Sequence, residues 1–246
     1  MNTVYMAWQD SQSRRWFPVG RLVKNDSDYE FTYVNGALHA KDSAGFLEIP
    51  GFPKLAKSYR ADELFPAFRG RTMNMSRPDR AGYLRQLGLD EAKWDAVTEL
   101  SISGGQSRAD NFEVFPAIEP DRDGRFETRF VLHGMRHVNR HSIERSESLR
   151  VGESLRLSFE LGNPATEHAI LVLSEDYYSL GWLPRYLVYG MHRDNAWMVS
   201  EVDVYVAQVN HAAPLSHRVL VDFTGKLPNG FNPMTDLEQF TPIAAA

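Results

Sequence analysis

The sequence predicts a mainly β protein of the α+β class, with many short strands and a few helices. Residues 155–160 alternate strictly, with Leu155, Leu157 and Phe159 on one side and polar residues on the other, which is the period of a half-buried strand. Residues 169–173 are entirely apolar, as in a fully buried strand. Residues 202–209 alternate again, and residues 218–223 predict a further strand.

Length and composition limit the possible classes of protein. The chain has 246 residues, of which 43% are hydrophobic, so it can form one large domain or two small ones. Its net charge of −5 disfavours a uniformly basic nucleic-acid-binding surface but allows a local basic site. The absence of cysteine excludes disulfides, thiolate metal sites and thiol nucleophiles. Residues 1–16 lack the apolar core of a secretion signal and no apolar run is long enough to span a bilayer, so we expect a soluble, cytoplasmic protein without a membrane partner.

The first third predicts strands followed by helices. Strands are expected at residues 3–8, 16–23 and 29–34. Asn35-Gly36 follows the third of these, and because both residues tolerate positive φ, the pair predicts a hairpin turn with residues 45–49 as the returning strand.

Two helices are expected after the irregular stretch that Pro50, Pro53 and Pro66 interrupt. The first would have Ser76 as its N-cap and Pro78 in its first turn, and Gly88 would end it. The second would be capped by Asp90 and would end at Ser103-Gly104-Gly105. The apolar residues at helical spacing are Tyr83, Leu84 and Leu87 in the first helix and Trp94, Val97 and Leu100 in the second.

The second half predicts a compact β unit beyond an acidic, proline-containing connector at residues 108–123. A strand at residues 130–132 ends at Gly134, and a polar, charged loop is expected from Asn139 to Ser148. Gly162-Asn163-Pro164 predicts a turn, and Pro184 is expected at the start of a helix after a short last strand. We therefore predict two domains, at residues 1–118 and 119–246.

Four short motifs in this half, taken in order, resemble the HIRAN domain. They are His133-Gly134-Met135-Arg136-His137, the run from Leu149 through Gly152 to Leu157, Asn163-Pro164 with Ala169-Ile170, and Gly181-Trp182-Leu183-Pro184-Arg185. The resemblance covers about a quarter of the chain, and its specificity lies in the order of the motifs. It implies an OB-like β-barrel that binds the free 3′-hydroxyl end of single-stranded DNA without catalysing a reaction.

The same resemblance implies which residues contact nucleic acid. Arg136 would bind a phosphate, and His137 would stack on a base or donate a hydrogen bond. Asn163, Pro164 and Thr166 match a turn where the family has an acidic residue at the terminal nucleotide, and here Thr166 takes that place with Glu167 beside it. The expected nucleic-acid-binding residues are Arg136, His137, Asn163, Thr166, Tyr178, Trp182 and Arg185, with Tyr177 as a further stacking face and core packing as the alternative for the aromatic residues.

The first half is similar to the N-terminal subdomain of HipA-type kinases. A strand, Gly20-Arg21-Leu22, Tyr29-x-Phe31-x-Tyr33 and Leu64-Phe65-Pro66 carry this similarity, and no kinase core follows. It implies an alternative function as a protein-interaction module. In this role the chain would be a toxin–antitoxin-type accessory protein that binds a HipA-type kinase, or a partner of a helicase or nuclease.

Catalytic and metal-binding patterns are weak. There is no Gly-x-Ser-x-Gly, phosphate-binding Gly-rich loop with Lys, or His-Glu-x-x-His, so we expect no enzyme activity and no cofactor, and an enzyme of another type is the third alternative. His133, His137 and His141 recur at four-residue spacing, which would suit a metal only on a helix, and we expect no metal. Arg140, Arg145 and Arg150 interleave with Glu144, Glu147 and Glu153, which indicates a solvated loop of mixed charge as readily as a basic surface.

Overall fold

The chain forms two units, each with its own sheet system. The computed structural model describes residues 2–107, 109–163, 166–193 and 196–244. Unit 1 comprises Met1–Tyr83, Glu91–Ala117 and Met234–Ala246, and unit 2 comprises Leu84–Asp90 and Ile118–Pro233. Residues 234–246, which the sequence predicts in the second domain, belong to unit 1 by their contacts.

Unit 1 contains a five-stranded antiparallel sheet. Its strands are β1 (Thr3–Gln9), β2 (Trp16–Lys24), β3 (Tyr29–Tyr33), β4 (Tyr59–Ala61) and β5 (Phe112–Pro116), in the order β4-β3-β2-β1-β5. The strands predicted in the first 34 residues are therefore present.

The hairpin predicted at Asn35-Gly36 is wrong, because these residues begin helix α1 (Asn35–Ala44). A Cβ on Gly36 would collide with the backbone carbonyl oxygen of Pro18, so glycine allows the helix to pack directly on β2. The residue that does need positive φ is Gly45, at 69°, which ends the helix in the left-handed conformation. Residues 45–49, predicted as a returning strand, form none.

The two helices predicted in the first half begin later than expected, and a short unpredicted helix lies before them in the proline-containing stretch. Helix α2 spans Pro66–Arg69, α3 spans Arg80–Gln86 and α4 spans Ala96–Ser103. Ser76 and Asp90 are therefore not the caps: α3 begins four residues after Ser76, and the cap of α4 is Asp95, whose carboxylate accepts a hydrogen bond from the backbone N–H of Thr98 at 2.9 Å.

The described residues of unit 2 form eight antiparallel strands. They are β6 (Arg125–Val131), β7 (Arg156–Asn163), β8 (Glu167–Leu173), β9 (Ser179–Trp182), β10 (His192–Arg193), β11 (Ala196–Trp197), β12 (Ser200–Val209) and β13 (Val219–Lys226). The sheets are β12-β13-β6, β7-β8-β9 and the small pair β10-β11. Phe130, Val172, Leu180, Val221 and Phe223 are buried in this unit.

Isolated bridges join the two three-stranded sheets of unit 2. His133 bridges Trp182 between the ends of β6 and β9, and Ser154 bridges Tyr205 between the approach to β7 and β12. The mixture of sheets and short helices is that of the α+β class. The described strands do not form one continuously paired barrel, and the OB-like closure stays a prediction.

Two local predictions in unit 2 are wrong. The expected loop from Asn139 to Ser148 is helix α5 (Arg140–Glu147), because Asn139 caps it by accepting a hydrogen bond from Ser142 N–H at 2.9 Å. The apolar face predicted at residues 155–159 is buried only at Leu155, just before β7: Leu155 is 5% exposed, but Phe159 is 53% exposed. Helix α6 (Arg185–Met191) follows Pro184 as predicted, whereas the Pro164 turn lies outside the described residues.

The C-terminal segment completes unit 1. Helix α7 (Pro233–Asp236) precedes a 3₁₀ turn at Glu238–Phe240. The ring of Phe240 is fully buried and lies 5.2 Å from the ring of Tyr5. Backbone hydrogen bonds from Asn35 N–H to Thr241 O and from Ile243 N–H to Tyr33 O, both 2.9 Å, attach the segment to β3 and α1.

Candidate nucleic-acid interface

The candidate site begins where the chain leaves β6. His133 and Trp182 exchange two backbone hydrogen bonds, of 3.2 and 2.9 Å, which join this exit to the end of β9. Gly134 follows with φ of +72°, and a Cβ there would come within 2.5 Å of the Trp182 ring. Only glycine both adopts this φ readily and leaves room for the indole, so the backbone of the turn lies in direct contact with the Trp182 ring.

A single 3₁₀ turn, Met135–His137, carries the two basic side chains predicted to bind nucleic acid. Met135 is buried and anchors the turn, while Arg136 and His137 are exposed. Arg136 Nε donates to His137 Nε2 at 2.9 Å, an arrangement that requires an unprotonated Nε2. Within the part of the chain that the structure describes, no carboxylate pairs with Arg136.

The nearby arginines of α5 are neutralised by acidic partners. Arg140 Nε lies 2.8 Å from Glu144, one turn along the helix. Arg145 pairs with Glu153 and also with Asp176, the latter at 2.8 Å. A hydrogen bond from Ser174 and then the Arg145 guanidinium lower the pKa of Asp176, so this pair stays ionised. Of Arg136, Arg140 and Arg145, Arg136 alone has no carboxylate partner in the described chain.

Hydrogen bonds connect Trp182 to the predicted turn through Glu160. Glu160 Oε2 accepts from the indole Nε1 of Trp182 at 2.9 Å and from the side-chain amide of Asn163 at 2.6 Å. Thr166 Oγ1 lies 3.2 Å from Asn163 Oδ1. Glu160 was not among the predicted residues. Alternation places Glu160 on the polar face of β7, but its position on the same face as Trp182 depends on the strand register, so the local sequence gives no signal for this link.

The structure gathers most of the predicted residues but separates one. Trp182, Asn163 and Thr166 belong to one hydrogen-bonded group through Glu160, and the turn that carries Arg136 and His137 touches the Trp182 ring at Gly134. Arg185 begins α6, three residues after Trp182. Tyr178 precedes β9, at the opposite end of this strand from Trp182, which places it about 13 Å away at the rise of an extended chain.

Tyr177 and Tyr178 instead form the turn between β8 and β9. Tyr177 has φ of +67° and its ring lies 5.0 Å from the guanidinium carbon of Arg156. The backbone N–H of Tyr178 donates to Ser174 Oγ at 3.0 Å, and its side chain is 41% exposed. The two tyrosines therefore present a second aromatic surface, separate from the Trp182 group.

Two cavities lie away from these residues. One in unit 2, of about 390 Å³, has an acidic lining that disfavours a polyanion; its lining residues are Glu119, Asp121, Arg125, Phe126, Glu127, Glu201, Thr224 and Gly225. The other, of about 520 Å³ in unit 1, is bordered by Trp94 and by the Lys24–Asp95 ion pair. Behind it, buried Glu99 accepts from Met73 N–H and Trp94 Nε1, both at 2.6 Å, and burial raises its pKa.

The described residues were also compared with the requirements of a metal site and of a membrane-spanning helix. Among the described residues no group of three or more His, Cys, Asp or Glu side chains could hold a metal ion. His133, His137 and His141 therefore form no such group. In the described part of the chain no helix has the length and apolar character needed to cross a bilayer.

Comparisons with known proteins do not assign a family. No protein-family model matches the chain, and no curated protein matches it. Among solved structures, a Lactobacillus plantarum protein determined as a structural genomics target aligns at 19% identity over 43% of this chain and 100% of its own. Its TM-score of 0.30 is too low to support an argument about fold or function.

Proposed function

We propose that unit 2 is a noncatalytic nucleic-acid-binding module that holds an unpaired DNA strand, or its 3′ end, at the Arg136–Trp182 turn. The observation that supports this most is Arg136 itself. It is an exposed arginine with no acidic partner in the described chain, carried on a turn that a glycine packs directly against an indole. A guanidinium without an acidic partner, on a turn that contacts an indole, combines the groups that bind a phosphate and stack on a base.

The division of roles follows from the contacts. Arg136 would bind a backbone phosphate, and the exposed His137 beside it would stack on a base or donate a hydrogen bond. Trp182 is held in a fixed orientation by Glu160, so its ring would provide a preorganised stacking surface. Asn163 and Thr166 would position the turn, with Arg185 as a second phosphate contact at the start of α6.

We also propose that the two three-stranded sheets of unit 2 form an OB-like barrel with two open seams. The His133–Trp182 and Ser154–Tyr205 bridges support this arrangement, since they link the sheets at both edges. The candidate residues lie at the first of these seams. A partner kinase, helicase or nuclease stays a prediction.

Fluorescence anisotropy with labelled oligonucleotides tests the proposed function. We expect the full chain to bind single-stranded DNA more tightly than blunt duplex at low salt, and a 3′-phosphate in place of the 3′-hydroxyl to weaken binding if the strand end is recognised. Arg140→Ala is a matched control, because Arg140 is exposed but already paired with Glu144. No binding at low salt would overturn the proposal.

A further inference from the structure

Unit 1 contains a cavity of about 520 Å³ that the proposed function does not use. Its lining comes from the end of β2, the start of β3, the residues around and after α2, and the start of α4, all within this unit. Pockets for small molecules commonly measure about 300–1,000 Å³ and combine an apolar lining with a few polar groups. The volume of this cavity is therefore that of a small-molecule site.

The apolar part of the lining combines aromatic rings with methionines. Tyr29, Trp94 and Leu64 line the cavity, and Met73 and Met75 add two thioethers. Methionine side chains are flexible and polarisable, and they make favourable contacts with aromatic rings. These groups match a flat, apolar ring in a ligand.

Trp94 is held in place from within the unit. Its Nε1–H donates to the buried carboxylate of Glu99 at 2.6 Å, and the guanidinium carbon of Arg80 lies 4.6 Å from the centre of its ring. Arg80 is 3% exposed, and its Nε and Nη2 have no hydrogen-bond partner among the described residues, so the indole ring is an important contact for this cation. A ring fixed in this way loses little freedom when a ligand packs on it.

Two polar side chains of the lining have unused hydrogen-bond donors. Arg69 pairs through Nη1 with Glu63, which is 84% exposed, and its other nitrogens donate to no described acceptor. Asn74 accepts from Ser76 through Oδ1, which leaves its amide N–H groups without an acceptor in the described chain. The cavity therefore offers donors to an acceptor on the ligand, and the guanidinium favours an anionic one.

Acidic side chains limit how much negative charge the ligand can carry. Asp95 lines the cavity, although its carboxylate already accepts from Lys24. Glu63 and Glu99 are hydrogen-bonded to lining residues and lie close to the cavity. Negative groups in these positions disfavour a phosphate dianion, so the lining suits a ligand with a single negative charge.

We propose that this cavity binds a small aromatic monocarboxylate, with its ring against Trp94 and Tyr29 and its carboxylate at Arg69 and Asn74. The apolar lining matches the ring, and the unused donors match the carboxylate. The site uses none of the side chains assigned to DNA binding, so the two proposals stand or fall separately.

Methionine-methyl NMR with 2-naphthoate tests the site on the full chain. We expect saturable shifts of the Met73 and Met75 methyl resonances, assigned with Met73→Leu and Met75→Leu, while Met6 and Met135, which are buried elsewhere, stay unchanged. For a ligand of this size we expect a dissociation constant of about 1 mM or lower. No saturable shift, or equal shifts of all four methyl groups, would overturn the proposal.

Matched ligands test the chemical class. Cyclohexanecarboxylate lacks the aromatic ring and 2-naphthalenemethanol lacks the charge, so each should bind at least about threefold more weakly than 2-naphthoate. Adenosine 5′-monophosphate, a dianion, should not displace 2-naphthoate. Equal binding of either analogue, or displacement by the nucleotide, would contradict an aromatic monocarboxylate as the ligand.

Arg69→Gln tests the position of the carboxylate. Because the guanidinium is exposed, its loss should weaken binding of 2-naphthoate by about two- to fivefold. Arg60→Gln is the matched control, since Arg60 is similarly exposed and pairs with Glu30 but does not line the cavity. Both side chains lie on the surface, so neither substitution should disturb folding. An equal loss of affinity in the two variants would refute a specific role for Arg69.

Discussion

The indole of Trp182 lies against the backbone of Gly134, with its Cε3 atom 2.5 Å from where a Cβ would be. This contact couples the turn that carries Arg136 to the end of β9. The shape of the candidate site therefore depends on the absence of a side chain at residue 134.

Gly134→Ala should destabilise unit 2 and displace Trp182. The substitution adds the cost of left-handed backbone for a residue with a Cβ, about 1–2 kcal/mol, to an overpacking cost of about 1–3 kcal/mol. Urea denaturation measures the total, and near-UV circular dichroism reports the indole. Gly152→Ala is the control, since Gly152 has φ of +81° but open space around its Cα. An equal loss of unfolding free energy in the two variants would show that the contact with Trp182 does not contribute to stability.

Arg136→Ala should weaken DNA binding and reduce its dependence on salt. Each phosphate contact with a single strand contributes a slope of about 0.7 in log K against log salt, so loss of one contact should reduce the slope by about that amount. Anisotropy titrations at several salt concentrations measure this. Arg140→Ala should leave affinity and slope close to wild type, and an equal effect of both substitutions would indicate a diffuse electrostatic effect instead.

Gly36→Ala should destabilise unit 1 more than Gly45→Ala does. A Cβ at Gly36 meets the backbone oxygen of Pro18, which cannot move aside as a flexible side chain could, whereas Gly45 has open space and only its φ of +69° to maintain. We expect about 1–2 kcal/mol for Gly45→Ala and a larger loss for Gly36→Ala. Thermal and urea unfolding of the two variants make the comparison, and the reverse order would contradict the helix–strand contact.

The stability of unit 2 should fall as pH drops below about 6.5, in part because of His217. Burial lowers the pKa of His217 from its ordinary value of 6.5, so the unfolded chain takes up a proton at a pH where the folded chain does not. The stabilisation is therefore complete above 6.5 and is lost as pH falls towards the folded-state pKa. His217→Gln should flatten this part of a stability–pH curve measured by urea unfolding, and an unchanged curve would exclude the effect.

The sequence predicted the strands better than the turns and helices. Alternation identified β3, β7 and β12, because a half-buried strand repeats its environment every two residues. Asn35-Gly36 predicts a turn wrongly, because the role of Gly36 is set by its contact with Pro18 of β2, which the local sequence does not reveal. Helix α5 was missed because it is largely exposed, which leaves little apolar periodicity to detect.

The candidate site was likewise predictable only in part. The positions of Arg136, Asn163 and Trp182 came from motifs, whereas Glu160 links them through the register of β7 with β8, which no local pattern encodes. The exposure of Phe159 was also unpredictable, since alternation gives the face of a residue but not whether another element covers it.

Unit 1 is discontinuous in the chain, with Phe240 supplying a ring to the core that Tyr5 and Phe115 begin. During synthesis the sheet of unit 1 emerges from the ribosome long before this ring does, and all of β6–β13 is translated in between. The core of unit 1 therefore stays incompletely packed until Phe240 has been synthesised. A fragment cut at residue 117 would lack that aromatic ring and should expose the hydrophobic surface it covers.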